Sequence, residues 1–219
     1  MRAARIACAL AAVLLVPAGA GAQSVEAAAG GFVIQRRVEY RSGFYQQSGT
    51  CASIAGAVRA GPLRAVWRAC SGTLAASGAA PDADVRIQAE VTGLDVAASR
   101  LLVLGFRREV RRFESDAGVT VWHLRGGTVR LEPDFGLRGL RGLVDVSVLG
   151  TGRVRGGAAF ATVLQTAMGA SFDPPGGRFG VRLSYRFERY DLPESAAGPR
   201  RLEQFTGLAV EATVRLRGR

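Results

Sequence analysis

Between Arg178 and Leu216 the chain alternates with little interruption. Phe179, Val181, Leu183, Tyr185 and Phe187 interleave with Gly180, Arg182, Ser184, Arg186 and Glu188, the two-residue period of a strand with one apolar and one polar face. Leu208, Val210, Ala212, Val214 and Leu216 repeat the pattern against Ala209, Glu211, Thr213 and Arg215. The stretch from Asp191 to Pro199 is rich in turn residues and continues neither strand, so a long hairpin is predicted here.

The same period recurs upstream. Phe32, Ile34, Val38 and Tyr40 fall on one face against Gln35, Arg37, Glu39 and Arg41, with Arg36 out of phase. Val85, Ile87, Ala89 and Val91 alternate with Arg86, Gln88, Glu90 and Thr92. Leu102, Leu104, Phe106 and Val110 oppose Arg107, Glu109 and Arg111, and after a turn at Glu114–Gly118 the chain returns through Val119–Glu132. The Gly126-Gly127 pair in that return is a bulge or a tight turn. Leu140, Gly142, Val144, Val146 and Val148 face away from Arg141, Leu143, Asp145 and Ser147, and Phe160–Phe172 follows after Gly156-Gly157. Cys51–Ala60 and Leu63–Ala75 flank the turn signal Gly61-Pro62 and read as two further strands, with two short helices as the alternative because Ala-rich sequence favours helix. The count is ten candidate strands of about 9 to 15 residues, longer than the usual 5 to 6 of soluble sheets and close to a tilted bilayer crossing.

Composition changes this picture in two places. Arg2 and Arg5, an apolar run from Ile6 to Val16 and the small residues Ala20-Gly-Ala22 have the order of a secretory signal peptide, so residues 1–22 are expected to be removed and 23–219 to form one domain. The formal charge is +11, and without Arg2 and Arg5 it is +9. Every cation is Arg, with neither Lys nor Asn anywhere, which has the look of coding bias rather than of a nucleic-acid partner, and export argues against nucleic acid as well.

The period-2 strands joined by Gly/Pro turns, and above all RFGVRLSYRFERYDLP followed by RLEQFTGLAVEATVRL, resemble the small eight- to ten-stranded outer-membrane β-barrels of bacteria. The resemblance implies an all-β, antiparallel up-and-down barrel of 8–10 strands, and a place in the outer membrane of a Gram-negative-type bacterium. It implies outer-membrane lipid and the barrel-insertion machinery as partners, with a monomeric chain. Members of the class carry an aromatic residue at the end of the last strand, where this chain has Leu216-Arg-Gly-Arg219.

If the apolar faces meet lipid, then Arg86, Glu90, Arg141, Asp145, Arg182, Arg186, Glu188, Glu211 and Arg215 point into the lumen. Acids interleaved with arginines favour a charged network that plugs a narrow barrel over an Arg-lined, anion-selective pore. Cys51 and Cys70 would be the only cysteines after processing, and a hairpin centred between Ala60 and Gly61 would place them opposite each other as a disulfide. His123 is the only histidine, has no ligand cluster around it in sequence, and is read as a strand residue without catalytic role; no metal or cofactor is called for. The Gly136, Gly139, Gly142 repeat lacks phosphate-loop spacing. The function expected is a non-enzymatic outer-membrane barrel with a structural or narrow-pore role. A periplasmic barrel carrying a lipid or amphiphile, and an outer-membrane lipid hydrolase using His123, stand as alternatives.

Overall fold

The computed structural model describes residues 24–77, 84–154, 159–194 and 199–217; the signal-peptide segment 1–22 and the Gly156-Gly157 turn lie outside these. Ten strands follow one another: β1 Ser24–Tyr40, β2 Gly43–Ala60, β3 Leu63–Ser77, β4 Val85–Ala97, β5 Leu102–Ser115, β6 Gly118–Leu131, β7 Leu140–Val154, β8 Thr162–Phe172, β9 Phe179–Leu192 and β10 Arg201–Arg217. Each pairs antiparallel with its neighbours in sequence, and β1 pairs with β10, so the sheet closes into an up-and-down barrel. Closure satisfies every strand edge, the condition for strands placed in lipid. The Ala-rich segments around Cys51–Ala75 are strands, because ladder pairing on both sides overrides local helix propensity.

Register fixes the shape. Following paired residues once around the barrel runs from Ser24 through Arg59, Arg64, Asp95, Gly105, Thr128, Ser147, Gln165, Glu188 and Phe205 to Arg36, a stagger of twelve residues on β1. Such a stagger tilts the strands by roughly 40° and leaves a lumen little wider than the one that eight strands fill with side chains. The outer surface carries a continuous apolar band, in which Val33, Leu94, Phe106, Val129, Val146, Met168, Leu183 and Val210 are 37–61% exposed. On β9 the band runs from Phe179 to Phe187; eight residue steps of about 3.3 Å at that tilt give about 20 Å of height, near the thickness of an outer-membrane apolar belt.

Two phases and one pairing differ from the sequence reading. On β4, Val85 and Ile87 are buried inside while Arg86 and Glu90 are exposed outside, so neither charge belongs to the lumen. On β1, Ile34 and Val38 likewise face inward, and the out-of-phase Arg36 lies inside with them. The reason is the same in both strands: the half of the barrel away from the termini has an apolar interior, so an apolar face there turns inward. The β2–β3 hairpin is centred one residue further along than a Cys51–Cys70 pairing requires, which shifts each partner by two: Cys51 opposes Gly72 and Cys70 opposes Ser53. The two cysteines are diagonal neighbours and both are free thiols, which corrects the expected disulfide.

Gly126-Gly127 lies opposite a bulge: between Arg125 and Gly127 the single β6 residue Gly126 faces two residues of β7, Leu149 and Gly150. Pairing slips between Arg125 and Gly127, so that β6 and β7 change register at this point. A Cβ on Gly126 would stand 2.1 Å from the Val148 carbonyl oxygen, whereas one on Gly127 would approach nothing nearer than 3.9 Å. Gly126→Ala is therefore expected to destabilise the folded barrel by about 1–3 kcal/mol, as overpacking does, and Gly127→Ala to leave it nearly unchanged. Urea unfolding in detergent micelles measures both, and equal effects would remove the bulge as the cause.

Candidate functional site: a charged lumen beneath an aromatic layer

The inward positions form three tiers. The tier nearest the termini is built on Glu26 and Glu211. Glu26 on β1 accepts from Arg64, Arg182 and Arg215 at 3.3, 3.1 and 3.1 Å, and Arg215 also reaches Asp173 at 3.4 Å. Glu211 on β10 holds Arg68 at 3.1 Å, lies within 3.8 and 4.0 Å of Arg182 and Arg186, and accepts from the Ser53 hydroxyl at 3.4 Å. Glu211 and Arg182 are directly opposed on paired strands, the position from which a cross-strand ion pair forms. Asp95 joins the tier from β4 with Arg107 at 2.5 Å and Arg130 at 3.0 Å.

The middle tier centres on Arg111. Its guanidinium pairs with Glu109 at 2.5 Å and with Glu188 at 2.7 Å. Gln165 donates to Glu109 at 2.6 Å and to the Tyr190 hydroxyl at 2.8 Å, and Tyr190 in turn donates to Glu188 at 2.9 Å. Arg111 also lies 4.9 Å from the centre of the Phe205 ring, which ties the charged tier to the one beyond it.

The third tier is aromatic. Trp122 and Tyr190 are completely buried and Phe205 nearly so. Ring centres stand 4.6 Å apart for Phe113–Trp122, 4.9 Å for Trp122–Tyr190, 5.0 Å for Trp122–Phe160 and 5.6 Å for Tyr190–Phe205, spacings at which tilted and edge-on rings attract. Leu74, Val85, Ile87 and Leu192 fill the remainder. On the far side Arg36 sits 4.7 Å over Phe113 and pairs with the buried Glu203 at 2.7 Å, while donating to Gln47 at 2.9 Å. The aromatic layer thus contacts two arginines, Arg36 over Phe113 and Arg111 over Phe205 and Tyr190.

Beneath the layer the lumen keeps a cavity of about 220 Å³, with Arg68, Arg186 and Cys70 on its lining and a wall of small apolar side chains from Ala55, Ala57, Val66, Ala89 and Val91. At about 30 Å³ per molecule this is room for several waters. It is a chamber under a closed layer rather than a continuous passage.

Of the nine sequence-predicted lumen charges, Arg182, Arg186, Glu188, Glu211 and Arg215 are brought into this network. Asp145 faces inward but accepts from the Thr128 and Ser147 hydroxyls instead of an arginine. Arg141 is exposed at the end of β7 near the termini and forms no ion pair among the described residues. Arg86 and Glu90 are outside, where Glu90 accepts from the Trp67 indole at 3.0 Å. Sequence reasoning missed Glu26, Arg36, Arg64, Arg68, Asp95, Arg107, Glu109, Arg111, Arg130 and Glu203 as members. Arg36 had announced itself by breaking the strand phase, and Arg107, Glu109 and Arg111 by alternating with the apolar face of β5. His123 is exposed on the outer face of β6, opposite Val110 and Arg153, away from the lumen.

No family model and no curated protein matches the chain. Among solved structures it is similar to the translocator domain of autotransporter NalP from Neisseria meningitidis, at 13% identity and a TM-score of 0.43 over 98% of this chain and 96% of that one. Neisserial surface protein A is similar at 11% identity and 0.39 over 87% and 96%, and the attachment invasion locus protein Ail of Yersinia pestis at 12% and 0.39 over 89% and 99%. At these values the likeness assigns no activity, and the reading of the chain rests on its own geometry.

The tiers make opposite demands on a carboxylate inside and outside the barrel. Glu211→Ala would leave Arg68, Arg182 and Arg186 facing one another around a buried gap, and is expected to cost about 3–5 kcal/mol. Glu114→Ala removes the partner of the exposed Arg112, 3.3 Å away, and is expected to cost less than about 1 kcal/mol. Urea midpoints of the two variants in the same micelles compare them directly.

Proposed function

We propose that the protein is a non-enzymatic outer-membrane β-barrel whose lumen is closed, and that its role is structural rather than conductive. The observation that carries this is the division of polarity between its faces: a level apolar band about 20 Å high outside, and paired charges capped by an aromatic layer inside. A water-soluble carrier of an amphiphile would need the reverse, with its apolar side chains gathered inward along the whole lumen and its outer face polar. The even number of strands returns both termini to one side, which the class pattern assigns to the periplasm. The short Asp173–Gly177 turn then faces the periplasm, and the Asp191–Arg200 connection the exterior.

Two measurements test the reading. Purified wild-type protein in a planar bilayer is expected to give no steady conductance, and a Trp122→Ala/Phe205→Ala double substitution to give a measurable one by removing two of the layer's large rings. Stable anion-selective channels from the wild type, altered by Arg182→Ala, would replace the closed barrel with a pore. For topology, trypsin added to intact cells is expected to cut at Arg200-Arg201, where the Arg200 side chain is 63% exposed. Cleavage confined to Arg178, beside the Asp173–Gly177 turn, would invert the orientation.

A further inference from the structure

Outside the barrel, at the edge of the apolar band furthest from the termini, the arginines are treated differently from those inside. Arg108 on β5 and Arg125 on β6 are directly opposed, as are His123 on β6 and Arg153 on β7, and all four side chains are exposed. Like charges placed opposite each other on a sheet repel. None of Arg108, Arg125 and Arg153 forms an ion pair among the described residues, whereas inside the barrel carboxylates are shared between two and three arginines. Among the described residues the outward positions of β6 and β7 supply no acid: they are Val119, Val121, His123, Arg125, Gly127, Val129 and Leu131, then Leu140, Gly142, Val144, Val146, Val148, Gly150 and Arg153, and the outward acid of β5, Glu114, is taken up by Arg112.

The backbone beneath these arginines is also unusual. The β6–β7 bulge falls beside Arg125, and it leaves two outward glycines, Gly127 and Gly150, with open space above them: a Cβ on Gly150 would meet nothing within 4 Å. Bulges re-aim the side chains that flank them. The result is a shallow floor of backbone, bordered on the termini side by Phe106, Val129 and Val148, which are 45–56% exposed, and on the other side by the three arginines. A cation at this height has water above it and hydrocarbon below it, and an anion of matching height relieves the mutual repulsion.

We propose that the outer face of β5–β7 binds the phosphate of a lipid headgroup, with Arg108, Arg125 and Arg153 around the phosphate and the lipid's acyl chains lying along Phe106, Val129 and Val148. This rests on the reading of the protein as a membrane barrel. A planar guanidinium offers paired donors to two phosphate oxygens, so three of them on three adjacent strands suit a phosphomonoester, with its three free oxygens, better than a carboxylate with two. A lipid is the fitting source because the arginines adjoin the apolar band, where a headgroup comes to them with its tail already placed.

The test uses the full-length folded protein in neutral detergent micelles and, as probe, a short-chain phosphatidic acid, with binding followed by tryptophan fluorescence or calorimetry. Wild type is expected to bind it in preference to the phosphatidylcholine of equal chain length. The triple variant R108Q/R125Q/R153Q is expected to lose about a hundredfold in affinity, since each cation near an anionic surface is worth about a factor of five. Arg37→Gln is the control: Arg37 is also outward, on β1, but is paired with Glu39 at 2.8 Å, and its loss is expected to leave binding unchanged. Unaltered affinity in the triple variant overturns the proposal. So does inorganic phosphate binding as tightly as the lipid, which would make the site one for a free anion, and so does equal binding of an acidic peptide, which would make it a general electrostatic surface. Failure of the wild type to insert into phosphatidylcholine vesicles would instead overturn the membrane reading; insertion without any preference for phosphatidic acid would overturn the headgroup site alone.

Discussion

Closure of ten staggered strands is the constraint on which everything else in this molecule depends. A sheet closed with a stagger of twelve residues has no free edge, so the backbone needs nothing from its surroundings. It also has a lumen too narrow to be left open to solvent and too wide for backbone alone to fill. Most inward charges therefore find their partners within the barrel. The chain solves this twice, with shared carboxylates in the tiers nearest the termini and with stacked rings in the far one, and Arg111 and Tyr190 join the two solutions.

This division explains which parts of the structure could be read in advance. On β9 and β10 the sequence pattern is sufficient, because Phe179–Phe187 and Leu208–Leu216 are apolar on the lipid side and their neighbours polar on the lumen side. On β1 and β4 the same rule inverts the strand, because Ile34, Val38, Val85 and Ile87 are apolar for the sake of the interior layer, leaving Arg37, Arg86 and Glu90 to face outward beyond the apolar band. Alternation reveals that a strand has two faces, but it does not say which is inside when the interior is itself partly apolar. The β2–β3 register was illegible for a different reason. Its residues are small, so a shift of two changes almost nothing in the match of faces, and only the ladders to β1 and β4 fix it.

Several of the charges that were missed lie alone among small or apolar neighbours. Glu26 stands among alanines, Asp95 follows Leu94, and Glu203 opens β10 beside Leu202. Each becomes important only through residues far away in sequence, as Glu26 does through Arg182 and Arg215. Local pattern carries no trace of such pairings, whereas the Arg107, Glu109, Arg111 series is visible because its members share one strand.

Why the lumen should be ionic at all, when apolar packing is often as stabilising as a buried ion pair, follows from the lipid outside. A barrel that was apolar on both faces would lose little on rotating any strand by one residue. With charges inside, the same slip places arginine in the apolar band, at about 2–4 kcal/mol for each one near the bilayer centre, while it pushes Leu or Val into a tier of unpaired carboxylates. On β9 a one-residue slip exposes Arg182 and Arg186 together, and on β10 Glu211 and Arg215. The network therefore specifies register as well as filling space. The aromatic tier needs no such device, since it lies beyond the band at the height of Arg37 and Arg86, where water rather than lipid adjoins the wall and an apolar face turned outward would itself be penalised.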